Sequence, residues 1–414
     1  MKLLHLADLH FGKSLHNQPL LEDQRDWIEK ALERIRLEKP SAVLIAGDVY
    51  DRGVPGKEAV NLLSDFLTEL SKEGIEIMLT AGNHDGGERL EFASDILANQ
   101  HVHIAGTVRA EILHVSMKDE YGPVTFWLMP YTTPAAVRVA LQLGEDEVIG
   151  YRSAVERLLS RQCLDTSQRN VLIAHQTVLN GDREPVHSSS ETAIGGVGGV
   201  DFEVFRDFDY VALGHIHGAQ SVGRESIRYA GAPLCYHFSE AGQKKGLLWV
   251  QLGAKGEEIS LRTEEIPPLH KVRKTISGKY NEILLAEREN PVPNAYVRVE
   301  LTDDHLPPHA KEELDALFSS CKSSLLDLTR VQRRPRMEST GPDLSPEKVS
   351  LLNYFCDFYR QRSADLSDPS PYEMDLIQSL AEKVENRGDE TLDEVAEALV
   401  EEALRGAKAR EVEA

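Results

Sequence analysis

The chain has 414 residues, of which 41% are hydrophobic and 28% charged, so it is long enough for two or three domains with separate cores. Its four cysteines are far apart and form no Cys-x-x-Cys pair, which argues against a disulfide framework and a thiolate zinc site and favours a reducing cytoplasm. No apolar run is long enough to cross a membrane, and His5, Asp8 and His10 interrupt the first apolar stretch where a signal peptide would be continuous.

The net charge of −22 is unfavourable for contact with nucleic acid, because a phosphate backbone repels a negative surface. Part of the excess is local. Residues 346–414 hold 8 basic and 17 acidic side chains, so 9 of the 22 excess negative charges lie there. Any contact with DNA is therefore expected to depend on metal ions and on a partner.

The first eighty residues alternate apolar strands with amphipathic helices in the order βαβαβ. The predicted strands cover residues 2–7, 42–46 and 75–80, and the predicted helices cover residues 20–37 and 57–72. Later apolar strands are predicted at residues 124–130, 170–175, 209–215, 228–233 and 245–253. This pattern predicts an α/β domain that ends near Pro267 and Pro268.

A small second α/β domain is predicted from His270 to Arg334, in the order strand, helix, strand, helix, strand. Capping signals beyond a polar linker predict three further helices, beginning near Ser345, Ser370 and Thr391. The expected domains are therefore residues 1–267, 268–336 and 346–414. The Ser- and Gly-rich stretch 187–199 is expected to be a loop, either a solvated connector or the lining of a DNA groove.

Five clusters of metal-ligand residue types each follow an apolar strand. They are Asp8-Leu-His10, Gly47-Asp48-Val-Tyr-Asp51, Gly82-Asn83-His84-Asp85, Ala174-His175 and Gly214-His215-Ile-His217. Functional sites in α/β sheets gather at the carboxyl ends of strands, so these clusters are expected to converge. On an extended backbone, Asp8 and His10 would point to the same side and reach one metal. A single cluster is as well explained by a helix cap or a structural histidine, but five in this order predict a dinuclear metal site.

This order of motifs resembles the calcineurin-like metallophosphoesterase superfamily across residues 1–265. The resemblance implies an α/β fold, a β-sandwich flanked by helices in the layer order α/β/β/α. It implies a first metal on Asp8, His10, Asp48 and His217, and a second on Asp48, Asn83, His175 and His215, with Asp48 shared. Mixed oxygen and imidazole ligands favour two Mn²⁺ ions, with Mg²⁺ or Fe as alternatives.

The expected catalytic residues surround His84. Two metals of this kind activate a water for in-line attack on phosphorus. His84 is not a ligand in the family pattern, which leaves it free to protonate the departing sugar oxygen or to stabilise the transition state. Asp51, or as a second choice Asp85, is expected to orient His84. Arg52 either clamps a phosphate or pairs with an acid.

A closer resemblance is to the nuclease subunits of bacterial SbcCD exonucleases. It is carried by the domain order after residue 267 and by the segments LHLADLHFGK, GDVYDRG, AGNHD, FDYVALGHIHGAQ, RYAGAP and FSEAGQKKG. The resemblance implies a Mn²⁺-dependent exonuclease on double-stranded DNA and endonuclease on single strands and hairpins, active in DNA repair and recombination. It also implies a homodimer, a coiled-coil ATPase partner of the SbcC type, and a capping domain that contacts DNA. Several relatives carry His at the position of Asp51, where Asp51-Arg52-Gly53 is similar instead to protein serine/threonine phosphatases.

Residues 346–414 are predicted to dock the ATPase. Their apolar residues recur at helical spacing and form a face that needs a surface to cover. The alternative is that these helices pack on the nuclease domain. The Pro- and Gly-containing linker before them favours a separate module.

Three rival functions remain open at this point. Ala7 to Gly12-Lys13-Ser14 follows a strand and fits a loose P-loop pattern, which would make the chain an ATPase. This is the remote alternative, because Ala7 replaces the first glycine, Asp8 would place a carboxylate beside the phosphates, and helix signals begin only near Pro19. A dinuclear phosphatase acting on a phosphoprotein or small phosphate ester would use the same metal chemistry. A scaffold with a decayed site is disfavoured because every ligand position holds a competent side chain.

Overall fold

The computed structural model describes residues 1–144, 147–148, 150–181, 183–188, 199–303, 305 and 307–330. The predicted helices of residues 346–414 and most of the predicted loop 187–199 lie outside these ranges. The helices of the described part are all too short or too polar to cross a membrane.

The described residues contain twenty strands and eight α-helices. The strands of the larger part are β1 (Lys2–Leu6), β2 (Ser14–Leu15), β3 (Gln18–Pro19), β4 (Ala42–Ala46), β5 (Glu76–Thr80), β6 (Val102–Ala105), β7 (Leu113–Asp119), β8 (Gly122–Met129), β9 (Arg169–His175), β10 (Val178–Leu179), β11 (Val200–Asp201), β12 (Tyr210–Gly214), β13 (Gln220–Val222), β14 (Arg224–Tyr229), β15 (Gly246–Gln251) and β16 (Ser260–Glu265). The last four are β17 (Lys271–Val272), β18 (Ile276–Gly278), β19 (Ala295–Leu301) and β20 (Ser324–Arg330). The helices are α1 (Leu21–Glu38), α2 (Lys57–Lys72), α3 (Gly87–Leu90), α4 (Ser94–Ala98), α5 (Pro134–Leu141), α6 (Tyr151–Leu159), α7 (Tyr280–Glu289) and α8 (Ala310–Ser320).

Two six-stranded sheets pack face to face. The first has the strand order β16-β15-β1-β4-β5-β6 and the second β13-β14-β12-β9-β8-β7. Strands β1, β4, β5 and β6 are mutually parallel, as are β8, β9, β12 and β14. Buried side chains from both sheets, including Leu44 and Met78 from the first and Phe126 and Ile173 from the second, form one apolar layer between them.

Helices cover the outer face of each sheet. In β4, Leu44 points into the layer between the sheets, whereas Val43 and Ile45 pack in the cluster that includes Trp27 of α1 and Phe66 of α2. Side chains of α5 and α6 pack with the outer face of the second sheet. Because β4 is buried on both faces, its sequence AVLIA is continuously apolar. The predicted α/β/β/α sandwich is confirmed.

The hairpin of β2 and β3 excludes the P-loop interpretation. Gly12 and Lys13 lead directly into this antiparallel pair, whereas a P-loop leads into the first turn of a helix that binds phosphate. Helix α1 begins only at Leu21. The ATPase alternative, which depended on Lys13, is therefore wrong.

Residues 271–330 form a separate sheet with its own core. Strand β19 pairs in parallel with β17 and β18 and with β20, and α7 and α8 pack on this sheet through Ile283, Leu314 and Phe318. The predicted element order is present, except that the first strand is split into β17 and β18. The buried Asp23 of α1 joins this sheet to the sandwich by accepting hydrogen bonds from the amide of His270 at 3.0 Å and the hydroxyl of Tyr296 at 2.8 Å.

Candidate metal centre

The strand ends of both sheets bring the predicted ligands together. Asp8 follows β1, Asp48 follows β4 and Asn83 follows β5 in the first sheet, while His175 ends β9 and His215 follows β12 in the second. Hydrogen bonds near the ligands join the sheets at this edge. The His215 amide donates to Asp8 Oδ1 at 2.9 Å, and His175 Nδ1 donates to the Ala46 carbonyl at 2.8 Å.

The backbone at the ligands is not extended. The prediction that Asp8 and His10 reach one metal because their side chains alternate along a strand was therefore wrong in its geometry, although the two residues do lie together. Asp8, His10, Asp48 and His215 all have positive φ angles, of 53°, 45°, 47° and 98°. Such conformations cost about 1–3 kcal/mol each in non-glycine residues and concentrate at functional sites. The turn is held by main-chain bonds from Asp8 to Gly47 at 3.1 Å and from His10 to Asp48 at 2.9 Å.

Asp8, His10 and His217 form the first half of the centre. One donor atom from each lies within 4.8 Å of the others, and all three side chains are buried. His10 Nε2 lies 3.2 Å from His217 Nε2 and 3.6 Å from Asp48 Oδ2. Asp8 Oδ2 is buried and has no hydrogen-bond partner in the protein. An unpaired buried carboxylate oxygen facing two imidazoles fits a divalent cation.

Asp48, Asn83, His175 and His215 form the second half. His175 Nε2 lies 3.3 Å from Asp48 Oδ2 and 3.1 Å from Asn83 Oδ1. His215 Nδ1 lies 3.0 Å from the same Asn83 oxygen. Because His175 Nδ1 is bonded to a carbonyl, its Nε2 carries the lone pair that a metal needs. Asp48 lies within 4 Å of histidines of both halves.

The electrostatics of the centre favour the metal-binding forms of His215, His10 and Asp48, but they favour the protonated form of His175. Burial lowers the pKa of His215 to about 3 and that of His10 well below its usual value, so both imidazoles are neutral at pH 7. Burial alone would raise the pKa of Asp48, but the neighbouring His175 outweighs it and holds that pKa well below its usual range. Burial would likewise lower the pKa of His175, but Asp48, Asp8 and the Ala46 carbonyl raise it to about 9. The His175 ring therefore carries a proton that a metal ion must displace when it binds.

His84 lies next to the ligands, and one of its ring nitrogens lies within 4.8 Å of donor atoms of His10 and Asp51. Its amide donates to Asp48 Oδ1 at 2.9 Å, and its Nδ1 donates to the main-chain carbonyl of Asp51 at 3.0 Å. Its ring is exposed and meets the edge of the His10 ring at 4.9 Å between centroids. A carboxylate was expected to orient His84, and the structure instead places a carbonyl oxygen there.

The carboxylates of Asp51 and Asp85 have other partners. Asp51 Oδ1 accepts from Lys13 Nζ at 2.5 Å and lies 3.8 Å from His10 Nδ1. Asp85 accepts from the amides of Val49, Tyr50 and Gly82 at 3.1, 2.9 and 2.9 Å, so it fastens the loop after β4 to the loop after β5. Asp85 therefore shapes the ligand loops and does not contact the His84 ring.

Arg52 is 82% exposed, and its Nε lies 3.7 Å from Asp51 Oδ2. Of the two roles expected for Arg52, the structure shows a long ion pair with the acid Asp51. An exposed guanidinium at the mouth of the centre also remains accessible to a phosphate group.

Three supporting residues were not anticipated from the sequence. Glu240 accepts from His217 Nδ1 at 2.9 Å, Gln24 donates to the His10 carbonyl at 2.7 Å, and the Tyr131 ring stacks on His215 at 6.2 Å between centroids. Glu240 lies in the segment FSEAGQKKG, which carried the family resemblance without suggesting a role. No local signal marks Gln24 or Tyr131, because α1 and the end of β8 meet the centre only in the folded chain.

Comparison with known proteins bears on this geometry directly. The calcineurin-like phosphoesterase model matches residues 1–219. The model of the Type 5 capsule protein repressor C-terminal domain matches residues 268–363. The SbcD component of the SbcCD nuclease of Staphylococcus epidermidis is 33% identical over 308 residues, which are 73% of this chain and 79% of the relative. Its counterpart in Staphylococcus saprophyticus is 33% identical over 293 residues, 70% of this chain and 75% of the relative.

The chain belongs to the SbcD family of calcineurin-like phosphoesterases. Family membership makes it a hydrolase of phosphodiester bonds with a site for two divalent metals. A dimetal phosphatase from Danio rerio is 12% identical with a TM-score of 0.37, covering 65% of this chain and 98% of that one. The assignment to the SbcD family depends on the sequence relatives and not on this weaker likeness.

Proposed function

We propose that this protein is a Mn²⁺-dependent DNA nuclease that cuts double-stranded ends as an exonuclease and single strands or hairpins as an endonuclease. The observation that carries the proposal is the convergence, at one edge of the two sheets, of seven side chains with metal-binding oxygen or nitrogen atoms, together with the buried Asp8 Oδ2 that has no hydrogen-bond partner in the protein. The curated relatives are named as components of a nuclease, which directs this chemistry to a nucleic acid. Oxygen and imidazole ligands without thiolate suit Mn²⁺.

The ligand set assigns each side chain a task. Asp8, His10 and His217 would hold one metal, His175, His215 and Asn83 the other, and Asp48 would bind both. When bound, the two ions would polarise the phosphate and activate a water for in-line attack. The backbone turns at Asp8 and Asp48 fix the carboxylates before substrate arrives, which preorganises the site for the charge that develops on the phosphate.

His84 would be the proton donor to the departing sugar oxygen. With Nδ1 donating to the Asp51 carbonyl, the ring would give up its Nε2 proton as an imidazolium and keep the proton on Nδ1. Its exposure at the edge of the ligands places it where a leaving group can reach it. Arg52, beside it in the mouth of the centre, would hold a phosphate of the same strand.

A homodimer is proposed from an apolar surface on α2 and the neighbouring segment 89–104. Phe92 is 81% exposed, Ile96 70% and Val60 42%. Val60, Phe92 and Leu97 line one open cavity of about 820 Å³ on this surface. A continuous apolar surface of this kind marks a protein interface. A second copy of the chain would cover it by twofold symmetry.

An ATPase of the SbcC type is the proposed partner, since the relatives are named as one component of the SbcCD nuclease. The amphipathic helices expected in residues 346–414 would dock it. The small sheet of residues 271–330 would act as the capping domain that contacts DNA beside the centre.

The competing proposal is a phosphatase on phosphoproteins or small phosphate esters, which the metal chemistry alone would serve equally well. The deciding experiment incubates the purified chain and Mn²⁺ with labelled duplex, hairpin and single-stranded DNA and with a phosphopeptide. The nuclease proposal expects cleavage of DNA and little release of phosphate from the peptide. Phosphopeptide turnover without DNA cleavage would overturn it.

A further inference from the structure

Glu240 is a fully buried carboxylate beside a proposed metal ligand. It ends the short helical turn Phe238–Glu240. Its Oε1 accepts from His217 Nδ1 at 2.9 Å, and its Oε2 accepts from Lys245 Nζ at 2.9 Å and the Tyr236 amide at 3.2 Å. A buried charge is tolerated only when it is paired and hydrogen-bonded, and both oxygens of Glu240 are.

Lys245 is the other half of this arrangement. Its side chain is 8% exposed, and its ammonium group donates to Glu240 Oε2 and also to the main-chain carbonyl of His217 at 2.8 Å. The amide of Ala232 donates to the same carbonyl at 3.0 Å. The ring of His217 is therefore held by Glu240, and its backbone by Lys245.

The two halves of the centre are supported unequally. The His217 ring donates to a carboxylate that is paired with an ammonium group, whereas the His175 ring donates to the neutral Ala46 carbonyl. A carboxylate partner fixes the tautomer of a ligating imidazole and makes its free nitrogen a stronger donor. That free nitrogen, His217 Nε2, lies 3.2 Å from His10 Nε2 at the first half of the centre.

We infer that Glu240 and Lys245 are positioning residues for His217 and selectively strengthen the metal site of Asp8, His10 and His217. The inference depends on the proposed ligand set. It predicts that the first half of the centre loses affinity when this pair is altered and that the half built on His175 and Asn83 does not.

The test measures Mn²⁺ binding to the full chain in the absence of substrate. Free Mn²⁺ is followed by electron paramagnetic resonance during titration of wild type, Glu240→Gln and Lys245→Met. Lys244→Met is the matched control, because Lys244 is the adjacent lysine but is 80% exposed and pairs with Glu265. The unfolding midpoint of each metal-free variant is recorded alongside.

Glu240→Gln is expected to weaken one of two Mn²⁺ sites by about 10–100-fold, the usual effect of losing an outer partner of a ligand. Lys245→Met should weaken the same site, and Lys244→Met neither. Two wild-type sites in both Glu240→Gln and Lys245→Met would overturn the inference. Equal weakening of both sites together with a lowered midpoint would also overturn it, since the pair would then support only the fold. A wild type that binds fewer than two ions would instead contradict the proposed function.

Discussion

His84 Nδ1 lies 3.0 Å from the main-chain carbonyl oxygen of Asp51, whose carboxylate is paired with Lys13. A backbone oxygen orients the proposed proton donor, so the identity of the side chain at position 51 is free to vary without loss of that bond. The same arrangement separates the role of the Asp51 carboxylate from that of His84.

Replacement of Asp51 by Asn tests this separation. The carbonyl that holds His84 is retained, and the loss of the Lys13 pair should lower kcat by about tenfold at most, the low end for an outer partner. Steady-state cleavage of a labelled single strand measures it. If Asp51→Asn lost as much activity as His84→Ala, the carboxylate and not the carbonyl would be the group that matters.

Much of this fold follows from local patterns in the sequence. Helix α2 runs from Lys57 to Lys72 as predicted, because its buried residues, such as Leu62, Phe66 and Leu70, recur at helical spacing. Strands β1, β4, β5, β9 and β12 are apolar runs that end at a ligand, so the edge of the sandwich could be located. The ligands converge for this reason.

The sequence did not predict backbone conformations at the ligands or contacts between residues that are far apart in the chain. The positive φ of Asp8 and His10 has no signature in residue type, since such angles are usually taken by glycine. Residues 230–233 were expected in a strand, but β14 ends at Tyr229 and Gly231 turns with φ 79° where a side chain would lie 2.8 Å from the His217 carbonyl. The Glu240 carboxylate meets His217 only once both loops are folded.

The burial of His5 should make the free energy of unfolding depend on pH. It is buried in β1 with Nδ1 2.9 Å from the Tyr210 hydroxyl, and burial lowers its pKa from 6.5 to about 3. Below pH 6.5 the unfolded chain binds a proton at His5 that the folded chain does not bind. The unfolding free energy is therefore not reduced by His5 above pH 6.5, and it falls as the pH decreases from 6.5 towards 3. Relative to His5→Gln, wild type should lose about 1.4 kcal/mol of unfolding free energy between pH 7.5 and 5.5. Denaturant unfolding without metal measures it, and parallel pH curves for the two proteins would contradict the account.

Phe92→Glu tests the dimer surface. A charge at this 81% exposed position should convert a dimer of twice 46.2 kDa into a monomer while leaving the fold intact. Light scattering after size exclusion gives the mass, and circular dichroism checks the fold. Val139→Glu is the matched control, because Val139 is 80% exposed but lies on α5, outside the proposed dimer surface. A dimer that survives Phe92→Glu, or dissociates equally in both variants, would contradict the proposed surface.

Truncation after Arg334 tests the docking role of the carboxyl-terminal segment. The shortened chain keeps both sheets of the sandwich and the small sheet, so it should remain soluble, bind Mn²⁺ and cut short single strands. Co-expression with the coiled-coil ATPase should then yield no complex. Undiminished co-purification would show that the ATPase binds outside residues 346–414. Aggregation of the shortened chain would show that these residues pack on the nuclease domain.

The most direct test of the central claim compares His84→Ala with Asp48→Ala by metal analysis and activity together. Asp48 contacts histidines of both halves of the centre, whereas the ring of His84 hydrogen-bonds to the main-chain carbonyl of Asp51. His84→Ala should keep two Mn²⁺ ions and lose about 10²–10⁴ in cleavage rate, the range for a general acid. Asp48→Ala should lose metal and activity in parallel. A His84→Ala protein that is both depleted of metal and inactive would contradict the assignment of His84 as a proton donor outside a two-metal centre.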